Sequence, residues 1–503
     1  MDRVHRAARG LSLLAALLGA ELRAAEASSA SPANPPAPCP ASAVRLPVGA
    51  DLAAVVGRAP EGASFCVAAG VHRMQTITPK DRQSFYGEPG AILNGSRQLT
   101  GFAREGRYWV TDGQRQHGWR RLDVPCIAAR PRCGFPEAVF IDDRPLFHAA
   151  SRNTVTGDSF FLDYDSGRRY LGVNPAGRRV EASVSATAFV GGARDVLISG
   201  LVVEKYASAA QEGAIGQNKK SEGWIIRDSV IRLNSAAGLL VGTRSQVLRN
   251  HIRDNGNMGA GCGGEDVLFE ENEIARNGYF SGIEPLWEGG GVKCVGTTHL
   301  IFRRNRVEGN NGIGLWTDYD NIHTLYKDNL LLRNVNSGIS HEVSYNAVIR
   351  GNYLYGNGDG FHVWLWGGAI QIQNSRNVLV QGNLVIAYAG NGISLIQQDR
   401  GVGRFGPFFT TGNKVFGNVV ISMTANGGRS GAVADHDPEE MWKGKNTFAG
   451  NVYHVADPRA AYWAWGGRDR TWADYRASSG QDADSTLFAL PAARAGSRKA
   501  QAR

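Results

Sequence analysis

The chain has 503 residues, 64 of them glycine, and a formal net charge of +9. Residues 1–25 hold a net +2 and the segment from Pro491 a net +4, so only +3 remains between them, too little for the basic surface of a nucleic-acid binder. No apolar run is long enough to span a bilayer.

In chain order, Arg3, Arg6 and Arg9 precede an apolar run from Leu11 to Ala20 and the small residues Ala25 and Ala27. This is the pattern of a secretory signal peptide over residues 1–27. Residues 28–42, rich in Ser, Ala and Pro, read as a disordered leader. Export would put the six cysteines in an oxidising compartment. Cys126 and Cys133 are the expected bridge, while Cys262 and Cys294 are either stacked core thiols or a second one. Residues 43–104 read as opening turns of a solenoid. Residues 105–185 read as a β-rich insertion, with strands near 108–110, 138–141 and 160–164.

The stretch 186–453 carries the main signal. Asp228, Asn250, Asn272, Asn305, Asn329, Asn352, Asn383, Asn418 and Asn451 recur at intervals of 22 to 35 residues. Most of them are followed by an apolar pair. A second segment in each turn follows a glycine and alternates apolar with small or polar residues, as at Gly312, Gly338, Gly368 and Gly392. Period-two segments in coils of this length predict an all-β solenoid of parallel strands, each turn burying its neighbour's apolar face. The asparagines are expected to stack at one corner and hydrogen-bond up the ladder. Asn-Gly pairs such as Asn255-Gly256 and Asn277-Gly278 mark the tight turns. Trp463, Trp465 and Trp472 place an end cap at 454–490, and 491–503 reads as a disordered basic tail.

The Asn-Gly turns resemble those of right-handed parallel β-helix proteins of the pectin-lyase-like superfamily. Trp287-Glu-Gly-Gly-Gly-Val-Lys293, Gly314-Leu-Trp-Thr-Asp-Tyr-Asp-Asn321 and Ser337-Gly-Ile-Ser-His-Glu-Val-Ser-Tyr345 resemble a secreted bacterial subgroup of it. The superfamily includes pectate and alginate lyases, polygalacturonase-type hydrolases and mannuronan epimerases, together with tailspikes and adhesins. The resemblance implies a polysaccharide partner and leaves the reaction open.

Those three motifs lie in consecutive turns, so their outward side chains should share a patch holding Glu288, Lys293, Trp316, Asp318, Asp320, His341 and Glu342. Two chemistries fit it. In a lyase, Lys293 removes the proton at C5 of a uronate, and Ca²⁺ held by Asp318, Asp320 and Glu342 neutralises the carboxylate. In a hydrolase, Asp318 and Glu342 form the carboxylate pair, their backbones about 8 Å apart by counting from Gly312 and Gly338. The single lysine among carboxylates ranks the lyase first. His341 follows the apolar phase of Ile339 and Val343 and is expected to be structural, unless a bulge turns it outward into the catalytic group. Trp316 and Tyr319 offer faces for sugar stacking. Asp399, in Gln397-Gln-Asp-Arg400, would extend the groove towards Asp435-His-Asp437, and Trp364 and Trp366 would wall it. No organic cofactor is expected. A non-catalytic glycan-binding or surface protein is the third reading.

Overall fold

A computed structural model describes residues 38–491 except 116, 217–219 and 362. The signal peptide at 1–27, most of the leader and nearly all of the basic tail lie outside the described residues.

Three long parallel sheets run side by side along the molecule, and the chain visits each once per turn. The first has 13 strands, from Val44–Leu46 to Thr447–Ala449, and the second has 13, from Gly70–Arg73 to Thr486–Ala489. The third has 11, from Gly213–Ile215 to Asp469–Arg470. Successive turns stack in register, apart from a shift between Cys262 and Gly264 at the end of one strand of the third sheet. In the second sheet Ile231, Ile252, Ile274, Val307, Leu331, Leu354, Val385 and Val420 are paired in register. In the third, Leu239, Ala260, Val292, Leu315, Ile339, Ile370 and Ile393 are. All of them are buried, because a period-two strand sends every second side chain into the coil and parallel register lays like upon like.

The asparagine column is a hydrogen-bonded ladder. Asn272 Nδ2 donates to Asn305 Oδ1 at 3.0 Å and to the Val247 carbonyl at 2.8 Å, while its Oδ1 accepts from the Asn250 backbone N–H at 2.9 Å. Each amide is thereby satisfied on both sides, which makes burial of so polar a group tolerable. The rungs continue through Asn329, Asn352, Asn383 and Asn418 to Asn451. Asp228 is not a rung. Val230 pairs with His251, so Ser229 occupies the rung position and Asp228 corresponds to Arg249, with which it forms an ion pair. A second ladder joins Asn234, Asn255, Asn277, Asn310, Asn334 and Asn357, of which the sequence marks Asn255, Asn277 and Asn357 as Asn-Gly turns.

Between the second and third turns the chain leaves the coil to build an eight-stranded, largely antiparallel sheet, running from Ser96–Gln98 to Val180–Ser183, with its own core of Leu99, Ile141, Phe160, Leu162 and Leu171. At the far end the helix Trp472–Ser479 closes the barrel. Its Trp472 lies 4.7 Å from Trp463, ring to ring, and Tyr475 is fully buried. Every cysteine is bridged: Cys39 to Cys66, Cys126 to Cys133 and Cys262 to Cys294. The last pair sits in register on adjacent turns, so it is a covalent rung rather than two stacked thiols. Three bridges accord with a protein that works outside the cytoplasm. No helix among the described residues is long and apolar enough to cross a membrane.

Candidate active site

The site is built on the outward face of the third sheet. Strands Gly290–Thr298, Ile313–Asp318 and Ile339–Glu342 send Val292, Cys294, Leu315, Thr317, Ile339 and His341 inward. The alternate positions face out: Lys293, Trp316, Asp318, Ser340 and Glu342. Leu315 pairs with Ile339, so the register partner of Gly338 is Gly314 and not Gly312. Asp318 therefore stands directly beside Glu342 on adjacent rungs, about 4.8 Å apart at the backbone rather than the 8 Å expected from Gly312.

The side chains form one connected cluster. Lys293 Nζ lies 3.0 Å from Asp318 Oδ2 and 3.5 Å from Glu288 Oε1, and it donates to the Trp287 carbonyl at 2.9 Å. It also sits 3.8 Å over the Trp316 ring. The Trp316 indole N–H donates to Glu342 Oε2 at 3.0 Å, and Arg400 Nη1 donates to Glu342 Oε1 at 2.5 Å. A second Arg400 nitrogen is 4.0 Å from Asp318 Oδ1. Burial, with the neighbouring Asp318 charge as the second cause, pushes the Glu342 carboxyl above its ordinary range; Arg400 and Lys293 pull the other way. Glu342 is only 9% exposed and Trp316 3%. The result is two adjacent carboxyl groups with different surroundings, one covered and disposed to hold a proton, the other held against an ammonium group.

The other expected members go elsewhere. His341 points into the coil, where Nδ1 meets Thr317 Oγ1 at 2.7 Å and Nε2 donates to the Tyr345 carbonyl at 3.2 Å. Burial lowers its pKa to about 4, so it is a neutral structural residue, and no bulge turns it into the catalytic group. Asp320 lies beyond the strand end in a left-handed turn, and its carboxylate accepts from the Arg404 backbone N–H at 2.8 Å. It does not join Asp318 and Glu342, and among the described residues no group of three His, Cys, Asp or Glu side chains is arranged to hold a metal ion. Tyr319 is half exposed and packs against Phe408 at the rim, with ring centroids 5.6 Å apart. Asp399 is well exposed and lies 3.8 Å from His436, not among the residues of the central cluster. Trp364 lines a separate groove, and Trp366 lies in the same loop with its carbonyl held by Asn391.

Residues 213–375 match a family described as the right handed beta helix region. The chain folds as a right-handed parallel β-helix. Among solved structures, this β-helix is similar to XylC, determined in complex with xylose, at 14% identity over 87% of this chain and 82% of that one, with a TM-score of 0.62. It also matches the A-module of the Azotobacter vinelandii mannuronan C-5 epimerase AlgE6, at 13% identity over 88% and 93% of the two chains, with a TM-score of 0.41. The periplasmic alginate epimerase AlgG matches at 13% identity over 82% of each chain, with a TM-score of 0.44. The sequence matches no curated protein. At these identities the likeness is one of fold.

Two further groups complete the site of the β-helix. Arg400 comes from a loop 58 residues beyond Glu342, and nothing in its local sequence distinguishes it from any other surface arginine. On the N-terminal side, a cavity of about 300 Å³ is lined by Gln211, Leu240, Met258, Gly261, Glu288 and Lys293. Gln211 closes over it by donating to Glu288 Oε1 at 2.9 Å. On the C-terminal side Gln371, Gln373 and Gln398 continue the polar row, linked at 3.0 and 3.1 Å.

Proposed function

We propose that the protein is an exported glycoside hydrolase acting on a polysaccharide, with Glu342 as the proton donor and Asp318 as the nucleophile. The observation that carries this reading is the in-register placement of Asp318 beside Glu342 with unlike surroundings. A retaining glycosidase needs one carboxyl group kept protonated and a second kept ionised about 5–5.5 Å away, and adjacent rungs favour that spacing over the ~6.5–9.5 Å of an inverting pair. In the first step the Asp318 carboxylate attacks the anomeric carbon while Glu342 gives its proton to the leaving oxygen. In the second, Glu342 takes a proton from water, which displaces Asp318 and restores both groups. Lys293 holds the Asp318 carboxylate in place at 3.0 Å, and Arg400 braces Glu342 at 2.5 Å. That a protein of the same fold was determined with xylose bound also supports a sugar ligand.

The lyase reading is less well supported. Its base would be Lys293, whose amino group is already engaged by Asp318, Glu288 and the Trp287 carbonyl and is thereby turned from a substrate proton. The calcium it would use was to be held in part by Asp320, which is engaged by Arg404. The test is incubation with a panel of neutral and uronate-containing polysaccharides, with reducing ends and unsaturated-uronate absorbance followed together. New reducing ends without absorbance, lost in Glu342→Gln and unaffected by a chelator, are expected. Absorbance that depends on Lys293 would restore elimination.

A further inference from the structure

The aromatic stretch around Trp364 lies in one of the longer turns and takes no part in the cluster at Glu342. It forms one wall of a groove of about 610 Å³ at the corner between the second and third sheets, within the usual size range for ligand sites. Val363, Trp364, Tyr388, Asn391, Asn426 and Arg429 line it. Asn391 and Gln397 are opposite ends of one strand, so the groove opens six residues, about 20 Å, from the edge of the active site.

We infer that this groove is a second carbohydrate site, one that grips a neutral stretch of polysaccharide rather than cutting it. Trp364 is held rigidly: its indole N–H donates to Asp469 Oδ1 at 2.6 Å, and Asp469 is itself bound by Arg429 at 2.8 Å. The loop behind it is pinned where Asn391 Nδ2 donates to the carbonyls of Val363 at 2.9 Å and Trp366 at 2.7 Å. Tyr388 is fixed through its hydroxyl, 3.1 Å from that of Tyr355. Preorganised aromatic faces beside amide and hydroxyl groups suit pyranose rings, which present C–H faces to aromatics and hydroxyls to amides. Among the described residues the lining is electrically spent, since its one cation, Arg429, already pairs with Asp469. An uncharged glycan therefore fits better than a polyuronate, which would find no free cation among the lining residues.

The inference extends the glycan reading, and its test needs no turnover, so the two can fail separately. The intact protein and its Glu342→Gln variant are run through native gels containing arabinoxylan, mixed-linkage β-glucan, galactomannan or polygalacturonate. Retardation by at least one neutral polymer is expected, unchanged in Glu342→Gln and reduced at least fivefold in apparent affinity by Trp364→Ala. Trp364 also anchors its loop, so Asn426→Arg, at an exposed position on the groove wall, should weaken retardation equally without touching that anchor. No retardation by any neutral polymer overturns the inference. So does retardation by polygalacturonate alone, or retardation that survives Asn426→Arg.

Discussion

The outward faces of the second and third sheets carry the same kinds of charged residue and put them to opposite uses. Just past the strand ends of the second sheet Arg276 pairs with Asp254 at 2.8 Å, and on its strands Arg306 pairs with Glu308 at 2.5 Å, with more than half of the arginine at 276 in solvent. On the third, Lys293 and Asp318 meet at 3.0 Å but are only 9% and 20% exposed. The strands are alike, so the difference lies in what covers them. The helix Pro285–Glu288 and the loop bearing Arg400 fold over the third sheet, whereas Arg276 stays more than half exposed on the wall of an open groove beside Tyr279 and Phe280. Screened by water, an ion pair contributes little; shielded from it, the same pair shifts a neighbour's protonation.

The contrast can be broken at several points, in decreasing order of expected effect. Glu342→Gln and Asp318→Asn should each lower hydrolysis on the order of 10²–10⁴-fold with the melting temperature little changed, checked by kinetics alongside thermal unfolding. Because burial raises the Glu342 pKa, activity should fall on the alkaline side as the acid loses its proton. The same group makes the folded state bind more protons than the unfolded one, so stability declines as pH rises from the ordinary carboxylate range through the raised value. Glu342→Gln should remove that decline in a pH series of denaturant melts.

Next comes His341. Its folded pKa of about 4 lies below the ordinary 6.5, so the unfolded chain binds the extra proton. Stability from this residue is present above pH 6.5 and lost as pH falls towards 4, by at most ~3 kcal/mol. His341→Gln should flatten that acid limb while leaving the alkaline one. Replacing Asn305 by Leu in mid-ladder strands the donors and acceptors of two neighbouring turns and should cost ~2 kcal/mol or more, read from urea melts. Arg276→Ala, just past a strand end of the second sheet, should change stability by no more than about 0.5 kcal/mol.

The repeat was legible because one constraint, a buried amide that must be satisfied on both sides, recurs in every turn and leaves the same letter behind. It misled at Asp228, where the preceding left-handed corner position happens to hold an acid and the rung itself is Ser229. Lys293, Asp318 and Glu342 could be found because their strands are consecutive, and strand alternation alone turned them outward. Their spacing could not, since two glycines, Gly312 and Gly314, compete for the role of turn marker and only strand pairing decides between them. Gln211 and the pairing of Arg400 with Glu342 were beyond reach for a different reason. They arrive through loops whose course depends on packing, and no period connects them to the strands they cover.

The asparagine ladder also has a direction. Every rung takes a proton donor from the turn before and hands one to the turn after, so a surplus of N–H groups is passed along until something only accepts. That something is Asp482: Asn451 donates to it at 3.0 Å and Tyr453 at 2.9 Å, and the Tyr475 hydroxyl closes in from the end helix at 3.2 Å. A buried carboxylate, costly anywhere else in the core, is here the terminator of a chain of amides. Whole coils could be gained or lost between Asn250 and Asn451 without disturbing either end, because each internal rung offers the same two faces. Cutting the chain before Asp482 would leave the last amide with its backward bond to the Val415 carbonyl and no acceptor for its forward N–H.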